Sequence, residues 1–184
     1  MVMTPKSLLR LPAASSAIAE LETGGFKPVV DDARAADKAA VKRIVLCSGK
    51  VFYDLDATRE ETPAKNVAVV RLEQFSPFPK QALEDVFAEY PNATQVFWTQ
   101  EEPENMGGWT FVEPRLREIV PQSVSVRYVG RSACSASASP ATGSYAIHEL
   151  EQRQIVEQSL STESEEISPA SEPEVSEKVA PASS

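Results

Sequence analysis

Four short groups of residues carry side-chain types that chemistry could use. Glu101, Glu102 and Glu104 sit beside Asn105, the kind of set that holds a divalent cation or shares a proton. Adjacent carboxylates on a loop more often face water or meet the positive end of a following helix, and that is the simpler reading. Gly107 and Gly108 follow, and allow a tight turn and a close backbone approach. Cys134 and the lone His148 could form a thiol nucleophile and its base. Nothing nearby supplies a third orienting group, so a close-packed loop of small residues is the better account. Ser48-Gly49-Lys50 lacks the glycine spacing of a phosphate loop and reads as a strand-to-helix turn with Lys50 exposed. Lys6 and Arg10 place two cations on adjacent turns, which suits either a phosphate or plain solvent.

The elements that would position these groups alternate in type. Arg43–Cys47, Val67–Arg71, Gln95–Thr99 and Val124–Val129 are short apolar, β-branched runs, expected as buried strands. Between them, Val51, Phe52 and Leu55 mark one helical face, Leu83, Val86, Phe87 and Tyr90 a second, and Trp109, Val112, Leu116 and Ile119 a third. Tyr145–Leu160 reads as a last, less regular helix. Strand and helix in alternation with short loops predict an α/β fold, a mostly parallel sheet with helices on both faces. The stretch Trp98–Trp109 then lies at the carboxyl end of a strand, where open α/β sheets carry their functional loops. Pro77 and Pro79 stiffen the loop around Phe78, which with Phe75 could pack on a partner.

Three regions follow. Residues 1–40 form an arm or connector, with a short helix over Ala13–Leu21, a stop at Gly24-Gly25 and a short strand over Phe26–Val30. Residues 41–160 hold the α/β domain. Residues 161–184 are expected to be disordered, since Ser, Glu, Pro and Ala bury too little to offset ordering entropy. Of the formal charge of −9, more than half belongs to this tail, where six Glu stand against Lys178 alone. The body is only mildly acidic and has no basic stripe, which argues against a nucleic-acid partner. No apolar run reaches membrane-spanning length, so no membrane partner is expected. Cys47 and Cys134 show no ligand spacing, which fits a reducing compartment and no metal site.

Several long words then stand in one order: M-T-P-K-S-L-L-R (3–10), G-G-F-K-P-V-V-D-D (24–32), R-I-V-L-C-S-G-K-V-F-Y-D-L (43–55), V-A-V-V-R-L-E-Q-F-S-P-F-P (67–79), Q-E-E-P-E-N-M-G-G-W (100–109), E-P-R-L-R (113–117) and S-P-A-T-G (139–143). On these words the chain resembles the carboxyl-terminal, transketolase-like domain of the thiamine-dependent decarboxylase component of 2-oxoglutarate dehydrogenase. The resemblance implies a structural and dimerisation domain, as a fragment or a split subunit. The complete enzyme oxidatively decarboxylates 2-oxoglutarate in the tricarboxylic acid cycle on thiamine diphosphate and magnesium, and passes a succinyl group to a lipoyl arm. Implied partners are the remaining domains of that component, a homodimer partner and the lipoyl succinyltransferase complex. The implied location is the cytoplasm of a bacterium, or the mitochondrial matrix in a eukaryote.

The family's G-D-G stretch ending in Asn, its cofactor signature, is absent from this sequence. No cofactor is therefore expected on this chain alone, and no catalytic residue. Gln100, Glu101, Glu102, Asn105, Gly107 and Trp109, with Ser139, Pro140 and Gly143, are expected as contact loops. Ser132–Ser139 is longer than the family's usual loop there. In some relatives an acyl-CoA effector binds near the segment matching Lys6–Arg10, which makes Lys6 and Arg10 expected phosphate contacts. The alternative is a stand-alone CoA- or nucleotide-binding regulatory module, or a scaffold of the full enzyme.

Overall fold

The computed structural model describes residues 5–135 and 144–161. Five strands form one sheet: β1 (Val29–Val30), β2 (Arg43–Cys47), β3 (Val67–Leu72), β4 (Gln95–Pro103) and β5 (Ser125–Arg131), in the order β1-β3-β2-β4-β5. All neighbours run parallel except β1, which lies antiparallel to β3. The expected α/β architecture is what the chain adopts. The four expected strands are present, with β4 and β5 running further than their apolar cores.

Pleating divides the sheet residues between two faces. Ile44, Leu46, Ala68, Val70, Leu72, Val96 and Trp98 face one layer, with Leu83 of α3 (Lys80–Ala88) and Val112 and Leu116 of α4 (Trp109–Ile119). Val45, Cys47, Val67 and Val69 face the other, with Val51 and Leu55 of α2 (Val51–Glu61) and Val156 and Leu160 of α5 (Ser144–Leu160). Phe97, Val129 and Ile155 extend this second layer. The strand order explains the division. The chain steps from β2 outward to β3, then returns past β2 to β4 and β5. With right-handed crossovers, that reversal puts α2 on one face and α3 and α4 on the other.

Residues 5–27 differ from the expected arm in detail. Short 3-10 turns at Leu8–Arg10 and Pro12–Ala14 precede α1 (Ile18–Thr23), so the helix starts later than Ala13. Pro12 and the missing side-chain cap limit the first stretch to a single turn. The strand expected over Phe26–Val30 is reduced to Val29 and Val30. Asp32 then takes over the edge of β3: its carboxylate accepts the Val69 N–H at 2.8 Å and pairs with Arg59 of α2 at 2.7 Å. Both side chains are buried, and the pair fastens the end of the arm across the sheet edge.

At the opposite end, Arg43 reaches under α5. It donates to the carbonyls of Ser159 and Ser161 and to Gln95 at 2.9 Å, and its guanidinium lies over Phe97. These contacts satisfy carbonyls that a helix terminus leaves open. The tail from residue 162 onward lies outside the described residues, as does the disorder expected of it. Among the described residues, no helix is long and apolar enough to cross a membrane.

Candidate functional site

The reversal of strand order places the switch point of the sheet between β2 and β4, where α/β folds commonly seat ligands. At their carboxyl ends stand Ser48-Gly49-Lys50 and Gln100-Glu101. Gly49 takes φ +73°, which lets the chain turn from β2 into α2. Lys50 is not the exposed residue expected from its turn. It pairs with Glu101 at 3.2 Å and with Asp54 at 3.6 Å. Burial works to lower its ammonium, but Glu101 and Asp54 outweigh it and hold the group above its ordinary range. A groove of about 690 Å³ opens here between α2 and α5, where Asp54, Glu61, Glu101, Glu149 and Glu157 outnumber Lys50, Arg153 and His148. This excess of carboxylate, with Lys50 already paired, is unsuited to a phosphate group.

The motif after β4 is organised by one side chain. Gln100 is 4% exposed. Its Oε1 accepts from Trp98 Nε1 at 2.7 Å and from the backbone N–H groups of Gly108 and Trp109 at 3.0 Å each. Its Nε2 donates toward the carbonyls of Glu102, Pro103 and Met106. The amide thus caps α4 on one side and gathers the loop on the other. A carboxylate was the expected partner of that helix terminus, but α4 has no acid in its first turn and the neutral amide does the capping.

Two glycines make this geometry possible. Gly107 takes φ +65°, and a Cβ there would lie 2.9 Å from Gln100 Nε2. A Cβ on Gly108 would lie 2.8 Å from the Trp98 ring. Opposite, β4 bulges between Thr99 and Pro103, so that Gly130 alone faces the extra residues. The Tyr128 hydroxyl crosses over Gly130 and sits 2.8 Å from the carbonyls of both Glu102 and Arg131. Burial, then Glu104, pushes this phenol well above its usual range, so it remains a neutral donor.

The remaining expected site residues fall into three sets. Glu101 is half-buried in its pair with Lys50, while Glu102 and Asn105 are exposed. Asn105 exchanges two hydrogen bonds with Cys134, donating to its carbonyl at 2.9 Å and accepting its N–H at 3.1 Å. Trp109 is half-buried against Tyr128, their rings 5.6 Å apart. These residues and Gln100 and Gly107 form one cluster. Lys6 and Arg10 lie apart from it, exposed on the arm. Ser139, Pro140 and Gly143 lie outside the described residues. His148 is exposed on α5 and faces Arg131. Phe75 and Phe78 pack inside the chain, against Trp98 and Phe111.

Sequence reasoning missed Tyr128, Gly130 and the buried Asp32–Arg59 pair. Their signal was present only as ordinary strand, turn and helix residues.

The geometry of the motif does not fit a thiamine diphosphate or magnesium site. The Gln100 amide is fully engaged, Glu101 is ion-paired, and among the described residues no cluster of three or more His, Cys, Asp or Glu could hold a metal ion. The class that the fold defines is a transketolase-like α/β domain, in which the loop after β4 is held by the Gln100 amide. A solved structure titled "Split gene transketolase, inactive beta4 tetramer" shares the fold, with a TM-score of 0.50 and 16% identity over 73% of this chain and 43% of that one.

The particular family is narrower. A family model described as 2-oxoglutarate dehydrogenase C-terminal matches residues 15–160, and the chain belongs to that family. Among its relatives, the 2-oxoglutarate dehydrogenase E1 component of Cupriavidus necator is 45% identical over 85% of this chain and 16% of its own length. That of a Geobacillus species is 44% identical over 86% and 17%, and that of Haemophilus influenzae 42% over 86% and 17%. The chain therefore spans about a sixth of the length of the curated relatives it matches.

Proposed function

We propose that this chain serves as the carboxyl-terminal structural domain of a 2-oxoglutarate dehydrogenase decarboxylase component. The observation that carries the reading is the family match over residues 15–160, joined to a motif whose polar groups are engaged in building a loop. In the complete enzyme, thiamine diphosphate and magnesium supply the decarboxylation chemistry, on domains that correspond to the rest of the relatives' length. This chain's part is to brace those domains and the dimer. Loop 101–108 and the segment holding Ser139, Pro140 and Gly143 are its contact surfaces. The lipoyl succinyltransferase complex is the acceptor partner, and a bacterial cytoplasm is the fitting location. Lys6 and Arg10 are proposed effector contacts, and unchanged acetyl-CoA affinity after Arg10→Ala in a complete enzyme would remove them.

The test is a hybrid in which this chain replaces the matching segment of the Cupriavidus necator relative. The hybrid is expected to assemble and to decarboxylate 2-oxoglutarate, while the 184-residue chain alone shows no thiamine-dependent turnover. Turnover by the chain alone, or a hybrid that folds without assembling, overturns the proposal.

A further inference from the structure

We infer that Gln100 is a positioning residue that sets loop 101–108 in its docking shape before any partner arrives, an inference that rests on reading this loop as a contact surface. Only one side chain suits the place. The site asks for an acceptor facing the N–H groups of Trp98, Gly108 and Trp109, and a donor facing the carbonyls of Glu102, Pro103 and Met106. Glutamate has the acceptor without the donor, and methionine has neither. Asparagine is a methylene too short to reach both sides.

The rest of the loop is built to the same end. Gly107 at φ +65° brings the Gly108 and Trp109 amides onto the Gln100 oxygen, with no room for a Cβ. The Glu104 N–H donates to the Arg131 carbonyl at 3.0 Å, and the Tyr128 hydroxyl holds the Glu102 carbonyl. Loop carbonyls turn inward, and the Glu102, Glu104 and Asn105 side chains remain exposed as the outer face. A loop ordered in the free chain meets its entropy cost at folding, so docking does not bear it again. Gln100 thus acts on assembly without touching the partner.

Hydrogen exchange on the full chain, alone and inside the hybrid, tests this. The Gly108 and Trp109 amides are expected to be protected in the free chain and no better protected in the hybrid. Gln100→Met should speed their exchange about tenfold, the loss of roughly one net hydrogen bond each, and leave the Ile44–Leu46 amides unchanged. The same variant should weaken assembly of the hybrid. Gln100→Glu, which keeps the acceptor, should restore protection at Gly108 and Trp109 while the Glu102–Met106 side loosens. If Gln100→Met also releases the β2 amides, Gly107→Ala decides, and loss confined to the loop supports the inference. Protection that arises only in the hybrid overturns it, as does equal exchange in wild type and Gln100→Met. A hybrid that fails to assemble although the free loop is protected refutes the contact reading and leaves the positioning role standing.

Discussion

Cys47 and Cys134 show how burial separates two identical side chains. Cys47 lies in the core beneath α2, with its thiol facing the Val70 carbonyl, and burial pushes it up to about 12. Cys134 is exposed beside Asn105. Alkylation of the native chain at mild alkaline pH should therefore modify Cys134 alone, with Cys47 reacting only after denaturation. Mass analysis of the labelled peptides decides it. The sign of the pH effect follows from the raised value. The unfolded thiol ionises near 9.0, so the core's preference for the neutral form is complete below that pH and is lost as pH rises toward about 12. Cys47→Ala should flatten that alkaline decline in a urea titration. At this scale the sequence was partly legible: Cys47 inside an apolar run announced its burial. The role of Gln100 was not legible, because its six partners come from the strand, the loop and the next helix at once.

Elements meet at a few polar fasteners. The Asp32–Arg59 pair joins the end of the arm, the edge of β3 and α2, with both side chains almost out of solvent. Removing one partner leaves a buried charge without its counterion, at a cost of about 3–5 kcal/mol. Asp32→Ala should lower the urea midpoint accordingly, and a midpoint unchanged from wild type would show the strap to be decorative. The central strands could be read from their continuous apolar runs, because both faces of the sheet are covered, and α3 and α4 from their helical apolar stripes. The edge strand could be read only in part: a strand is expected over Phe26–Val30, and the structure keeps Val29 and Val30, because only these two pair antiparallel with Leu72 and Arg71.

The whole chain presents a second kind of surface. Leu9, Ile18, Leu21 and Phe26 are each more than 70% exposed, all on the arm, and none of the arm's helical turns buries a residue. Four large apolar side chains this exposed along one short arm favour burial against another surface. The chain alone should therefore associate as its concentration rises, and the double change Ile18→Glu and Leu21→Glu should suppress that association. Sedimentation equilibrium measures both; a chain monomeric throughout would mean the arm tolerates water. In the proposed assembly the same surface rests on the domains that correspond to the remaining length of the relatives.

The sequence by itself determined the class of the fold, the order of its strands and helices, and the family, because periodicity and long matched words are local properties. Only the tertiary structure showed which polar residues the fold engages in holding itself together. Glu101 lost its appearance of a ligand once Lys50 arrived from the neighbouring strand end, and Gln100 became a cap because α4 starts where its amide ends. The first outcome depends on groups distant in sequence but adjacent across the β2–β4 pairing, which exists only after the sheet has formed; the second depends on the loop folding back so that residues up to nine positions away converge on one amide.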